Sequence, residues 1–216
     1  DVDHVQDKAS ALSEVLFRIH GYTGDTETYD DIQNANLMRV IDRRKGLPVA
    51  LGILLIHMAR ARGWSISGLN FPGHFLLRLT HAGEQVIIDP FRKAKRLTAE
   101  NLVRLVTQVQ GPRAKMHAKY LKSVSDRDIL LRLQNNIKTR ALAAEDTDHA
   151  LEVLETMTLI SPDSATVVSE LAILEAEAGN FKQALDRLTS FLAQRQGHPE
   201  KAQIVALSKN LKRRLN

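Results

Sequence analysis

His74 and Asp89 are the residues of this chain whose types and spacing could do chemistry together. They bracket "HFLLRLTHAGEQVIID", two short stretches of alternating character around a tight turn. An imidazole held beside a carboxylate is an arrangement that activates a nucleophile: the ring takes a proton while the acid orients it. Yet the chain contains no cysteine, and no serine or threonine stands where such a nucleophile is due. Water, with His74 as general base, is the remaining attacking group, and such a route ordinarily wants a metal to lower the water pKa. His57, His74, His81 and Asp89 are the conceivable ligands. They show neither HxH nor HExxH spacing, so no metal or other cofactor is expected.

Several elements must position this pair. If Ala82-Gly83 forms a two-residue turn, strands over 74–80 and 85–89 pair so that partner positions add to 165. Asp89 then lies opposite Leu76, with His74 as its diagonal neighbour and Arg78 on the same face. Phe75, Leu77, Leu79, Val86 and Ile88 take the other face, the expected core side. Ahead of the strands, "GLPVALGILLIHMARARGW" places Pro48 in the first turn of a helix and Gly63 at its stop. That helix is apolar nearly all round from Val49 to Met58, which predicts the buried centre of the first domain. Its N-terminus presents free backbone N–H groups near Arg44 and Lys45, a setting that suits a carbonyl or carboxylate. Helical spacing also predicts helices over Val5–Ile19 and Asn36–Arg43, and Thr98 as the cap of another.

From Asp126 onward the composition carries no strand signal. Two units of 34 residues, Leu131 to Ser164 and Ala165 to His198, repeat a pattern of small and large packing positions. Ala141, Ala150, Leu154 and Met157 fill it in the first unit; Ala172, Gly179, Phe181, Ala184, Leu188 and Phe191 fill it in the second. This is the tetratricopeptide pattern, with departures at Lys138, where a small residue is usual, and Gln196, where proline is. Pro199 to Leu215 reads as a terminal capping helix.

Composition excludes several classes. Without cysteine there are no disulfides, thiolate metal sites or cysteine catalysis. The most apolar run, Val49 to Ala59, is too short to span a bilayer, so no membrane partner is expected. Lys plus Arg exceed Asp plus Glu by five, but "RKAKR" and "KRR" lack interleaved aromatics and read as solvated faces, so nucleic acid is not expected as a partner. The chain begins at Asp1 without methionine or a signal-like segment, from which a trimmed front and a cytoplasmic setting are expected.

Taken as a set, Asn34, Gly46-Leu47-Pro48, Gly63, Phe71-Pro72-Gly73-His74, Arg78 and Asp89-Pro90-Phe91 resemble the SirB1 family over nearly the whole chain. The resemblance implies an α+β fold: a transglutaminase-like (papain-like) domain with a small antiparallel sheet over 1–120, then an all-α tetratricopeptide-like region over 121–216. In that superfamily a cysteine at the start of the buried helix attacks an amide carbonyl, a strand histidine acts as base, and an aspartate on the next strand orients it. His74 and Asp89 match the latter two. The cysteine position falls at or beside Pro48, and neither Pro48 nor Leu47, Val49 or Ala50 carries a nucleophile. The expected cleft is lined by Lys45, Pro48, Asn70, Gly73 and Arg78 beside the dyad. The expectation is a non-catalytic cytoplasmic adaptor that binds a protein or peptide through its repeats or its cleft. The alternative is an amide or peptide hydrolase using His74 and Asp89 with activated water.

Overall fold

The computed structural model describes residues 4–195 and 197–215, in two compact units, Asp1–Leu133 and Gln134–Asn216. In the first unit α1 (Val5–Ser13) buries Val5, Ala9 and Leu12, and a π-helical stretch, Glu14–Ile19, prolongs it and buries Leu16 and Phe17. A short parallel pair, β1 (Thr23–Gly24) with β2 (Lys45–Gly46), encloses α2 (Leu37–Arg43), whose first N–H groups bond to the Asn36 side chain. Next comes α3 (Pro48–Ala61), with Pro48 in its first turn, where a missing N–H costs nothing. It buries Val49, Ala50, Leu51, Gly52, Leu55, Ile56 and Ala59, and is the centre of the unit as the sequence predicts.

A five-stranded antiparallel sheet follows, built from β3 (Ser65–Leu69), β4 (Leu77–His81), β5 (Glu84–Asp89), β6 (Lys95–Leu97) and β7 (Ser123–Val124), in the spatial order β6-β5-β4-β3-β7. The β4–β5 register is the predicted one, Leu77 opposite Ile88 through His81 opposite Glu84. Ala82 and Gly83 both take positive φ, as a type I′ turn demands. Two expectations are corrected. His74 lies in a bend over 72–74 rather than on a strand, because Pro72 and the left-handed Gly73 hold the chain out of the ladder. Nor is one sheet face polar. Leu76 packs with Leu102, Leu105 and Val106 of α4 (Ala99–Gln110), while Phe75 meets α3, so both sides of this segment are buried. Thr98 caps α4 with a full capping box involving Asn101.

Phe75 approaches α3 closely because Gly52 has no side chain. A Cβ there would lie 2.4 Å from the Phe75 ring. Gly52→Ala is expected to lower stability by about 1–3 kcal/mol, by overpacking, read as a lower urea midpoint. An unchanged midpoint would show that the ring has room to retreat.

The second unit is helical. After α5 (Asp126–Ala143), within which the two units divide, come α6 (Thr147–Ile160), α7 (Ala165–Glu177), α8 (Phe181–Gln194) and α9 (Lys201–Leu215). Ala165, Val168, Ala172, Ala176, Ala184, Leu188, Phe191, Ile204 and Leu211 form its core; Ala172, Ala184, Leu188 and Phe191 are repeat positions, Ala165, Val168 and Ala176 are further residues of α7, and Ile204 and Leu211 lie on α9. Lys138 is accommodated in place of a small residue because its ammonium pairs with Glu170. Gln196 lies outside the described residues.

Candidate functional site

A cavity of about 250 Å³ opens at the start of α3, lined by Tyr29, Pro48, Gly73, His74, Phe75, Asp89, Phe91 and Arg92. His74 and Asp89 therefore do face one space, beside the tip of α3. The bend that carries His74 is locked from behind. Gly73 has φ +68°, and a Cβ there would lie 2.6 Å from a Val109 methyl on α4. Asp89 ends β5 and caps the 3-10 turn Pro90–Arg92, its Oδ1 accepting from the Phe91 N–H at 2.9 Å. Its Oδ2 lies 3.7 Å from Arg92 Nε. The carboxylate is thus engaged by its own turn, and among the described residues no hydrogen bond joins it to the His74 ring.

Desolvation governs both titrations. Burial holds the His74 imidazole below the ordinary histidine range; Asp89 pulls it back up, and Arg92 and Arg132 push it down again. Burial likewise raises the Asp89 carboxyl above its usual range, opposed by the Phe91 N–H, Arg92 and His74. The ring is accordingly neutral at neutral pH and free to accept a proton or a hydrogen bond. At the tip of α3 the Leu47 cap supplies no side-chain acceptor, so the first-turn N–H groups of Val49 and Ala50 have no intrahelical partner and no capping side chain.

Three residues expected at the cleft lie elsewhere. Arg78 reaches across β3 to β7, donating to the Leu121 carbonyl at 3.1 Å and to Ser123 Oγ at 2.6 Å. Asn70 is exposed, and its backbone N–H bonds to the Lys122 carbonyl. Lys45 pairs with Glu27 at 3.5 Å. The reason is common to all three: β7, and the loop around residue 27, take up groups that a single hairpin and helix tip would leave pointing at the cleft.

Tyr29 and Arg92 were not anticipated. Arg92 follows from the cap at Asp89, since a capped turn brings the third residue back to the carboxylate. Tyr29 carries no such sign. It is placed by a buried polar cluster ahead of α2, in which Asn34 Nδ2 donates to the Thr28 carbonyl at 2.7 Å and to the Tyr29 carbonyl at 3.5 Å. Its ring then meets Phe91 edge-on, with centroids 5.7 Å apart.

Among known proteins, the family model described as the transglutaminase-like superfamily matches residues 2–135. The chain belongs to the transglutaminase-like superfamily. A tetratricopeptide-repeat model matches residues 137–211, so the domain order read from the sequence holds. A UPF0162 protein of Xylella fastidiosa is 29% identical over 188 residues, covering 86% of this chain and 67% of the relative. One of Vibrio cholerae is 32% identical over 154 residues, covering 71% and 57% respectively. F-box only protein 21 of Mus musculus is 31% identical over 106 residues, 45% of this chain and 17% of that protein. The chain spans about two thirds or less of the length of these relatives. No solved structure matches it.

Every residue lining the cavity lies inside the transglutaminase-like match. In this transglutaminase-like chain, Pro48 stands at the tip of α3 and lines the cavity, and Tyr29 carries the one hydroxyl among the lining residues. Among the described residues, no group of three or more His, Asp or Glu side chains is arranged to hold a metal ion, and no helix is long and apolar enough to cross a membrane.

Proposed function

We propose that this chain is a non-catalytic transglutaminase-like protein that acts as a cytoplasmic adaptor, binding a protein or peptide partner. One observation carries the reading: the helix tip that faces His74 and Asp89 ends in Pro48, which has no atom to attack a carbonyl. What is left is a small cavity with aromatic walls, a neutral imidazole and a guanidinium, suited to holding a carbonyl or carboxylate without transforming it. The repeats add support, because tetratricopeptide repeats generally mediate protein–protein interactions. On that unit a second cavity, of about 930 Å³, is bounded by Phe181, Asp186, Arg187 and Phe191 of α8 and by Thr158 of α6.

The open cavity and the neutral ring also favour a second reading, amide or peptide hydrolysis by water with His74 as base. Asp89 counts against it, since its oxygens are occupied by the Phe91 N–H and Arg92 rather than by the imidazole. One pair of measurements separates the two. The purified chain, given glutamine-bearing protein with an amine probe and given peptide substrates, should show no turnover above that of its His74→Ala variant. Selection from a random peptide library should enrich binders whose spectra map to one of the two cavities. Turnover abolished by His74→Ala would overturn the adaptor reading, as would a selection that enriches nothing.

A further inference from the structure

The segment bearing His74 has an anchor that the hairpin does not supply. Residues 72–74 form a bend outside the β4–β5 ladder, so the His74 carbonyl has no strand partner. Arg132, on α5 and 58 residues further along the chain, donates from Nη2 to that carbonyl at 2.8 Å. Its guanidinium carbon also lies 5.4 Å from the centroid of the Phe75 ring. His74 and Phe75 are adjacent lining residues of the cavity.

We propose that Arg132 is a positioning residue of this site: by holding the peptide unit between His74 and Phe75 it fixes the direction in which the imidazole enters the cavity. The geometry suits that role. A guanidinium can donate in its plane to a carbonyl while presenting a face to an aromatic ring, so one side chain restrains both the backbone and the neighbouring ring. Gly73 leaves the bend its freedom to turn, and Val109 blocks the space behind it. Arg132 closes the remaining direction. A lysine in its place would keep the charge but lose the planar fork. The groups acting on the ring are then Asp89 from the end of β5, Arg92 from the 3-10 turn that follows it, Arg132 from α5, and burial itself.

This inference rests on the cavity being the recognition site, but its test is read on the ligand-free chain, so its failure and that of the adaptor reading are distinguishable. The His74 imidazole would be titrated by NMR in the wild type, Arg132→Gln, Arg132→Lys and, as a control, Arg78→Gln, which also loses a guanidinium-to-carbonyl bond on the same unit. Arg132→Gln should raise the His74 midpoint and shift its ring signals. Arg132→Lys should keep the midpoint nearer the wild-type value while displacing the Phe75 amide signal. Arg78→Gln should change neither. A folded Arg132→Gln that titrates like the wild type overturns the proposal. Should Arg132→Gln fail to fold, the wild type decides: slowly exchanging Arg132 Nη protons coupled to the His74 carbonyl support it, and a freely rotating guanidinium overturns it.

Discussion

Pro48→Cys should place a reactive thiol in a chain that has none. Position 48 opens α3 and lines the cavity shared with His74. A thiol there meets two influences that lower its pKa: the positive end of the helix and an imidazole able to take its proton. At pH 7 its alkylation by iodoacetamide should run on the order of tenfold faster than that of an unperturbed cysteine. Adding His74→Ala should remove most of that advantage. The substitution should cost little stability, on the order of 1 kcal/mol, because the first helical position needs no N–H and proline contributes there mainly by restricting the unfolded chain. A thiol that reacts no faster than a free one, in a variant that still folds, would mean that the ring does not reach the helix tip. The view that the imidazole faces the position an attacking group would take would then fail.

Asp25→Ala should strongly destabilise the first unit. Asp25 is 2% exposed and accepts from the Thr28 hydroxyl at 2.6 Å, the Thr28 N–H at 3.0 Å and the Glu27 N–H at 3.2 Å. Arg43 stands 3.5 Å away and also donates to Asn34, which is fully buried and holds the Thr28 and Tyr29 carbonyls. Removing the carboxylate strands several donors together, at an expected cost of about 3–5 kcal/mol. Tyr29 would lose its fixed position at the cavity as well. The same network makes stability depend on pH. The Thr28 hydroxyl above all, then the Thr28 N–H, lowers the Asp25 carboxyl to about 2. Because the folded value lies below the unfolded one, near 4, the stabilisation is complete above pH 4 and is lost as pH falls towards 2. Urea midpoints measured across that window should decline in the wild type and much less in Asp25→Asn. Parallel declines would show that other carboxylates carry the acid sensitivity.

Much of the frame is written in neighbouring residues. Pro48 and Gly63 delimit α3, Thr98 with Asn101 starts α4, Ala82-Gly83 sets the β4–β5 register, and small residues at a period of 34 announce the repeats. Each signal works because caps, turns and packing faces depend on side chains only a few positions apart. The same signals bring His74 and Asp89 to one end of the hairpin, beside a helix tip without a nucleophile. They could not reveal that α4 buries the second sheet face, that Arg78 serves β7, or that Tyr29 and Arg132 serve the cavity. Those contacts join residues dozens of positions apart. Which of several arginines meets a given carbonyl depends on where whole elements come to rest, and local pattern is silent on that. Chemical potential was legible along the chain, whereas the company each reactive group keeps was settled only by packing.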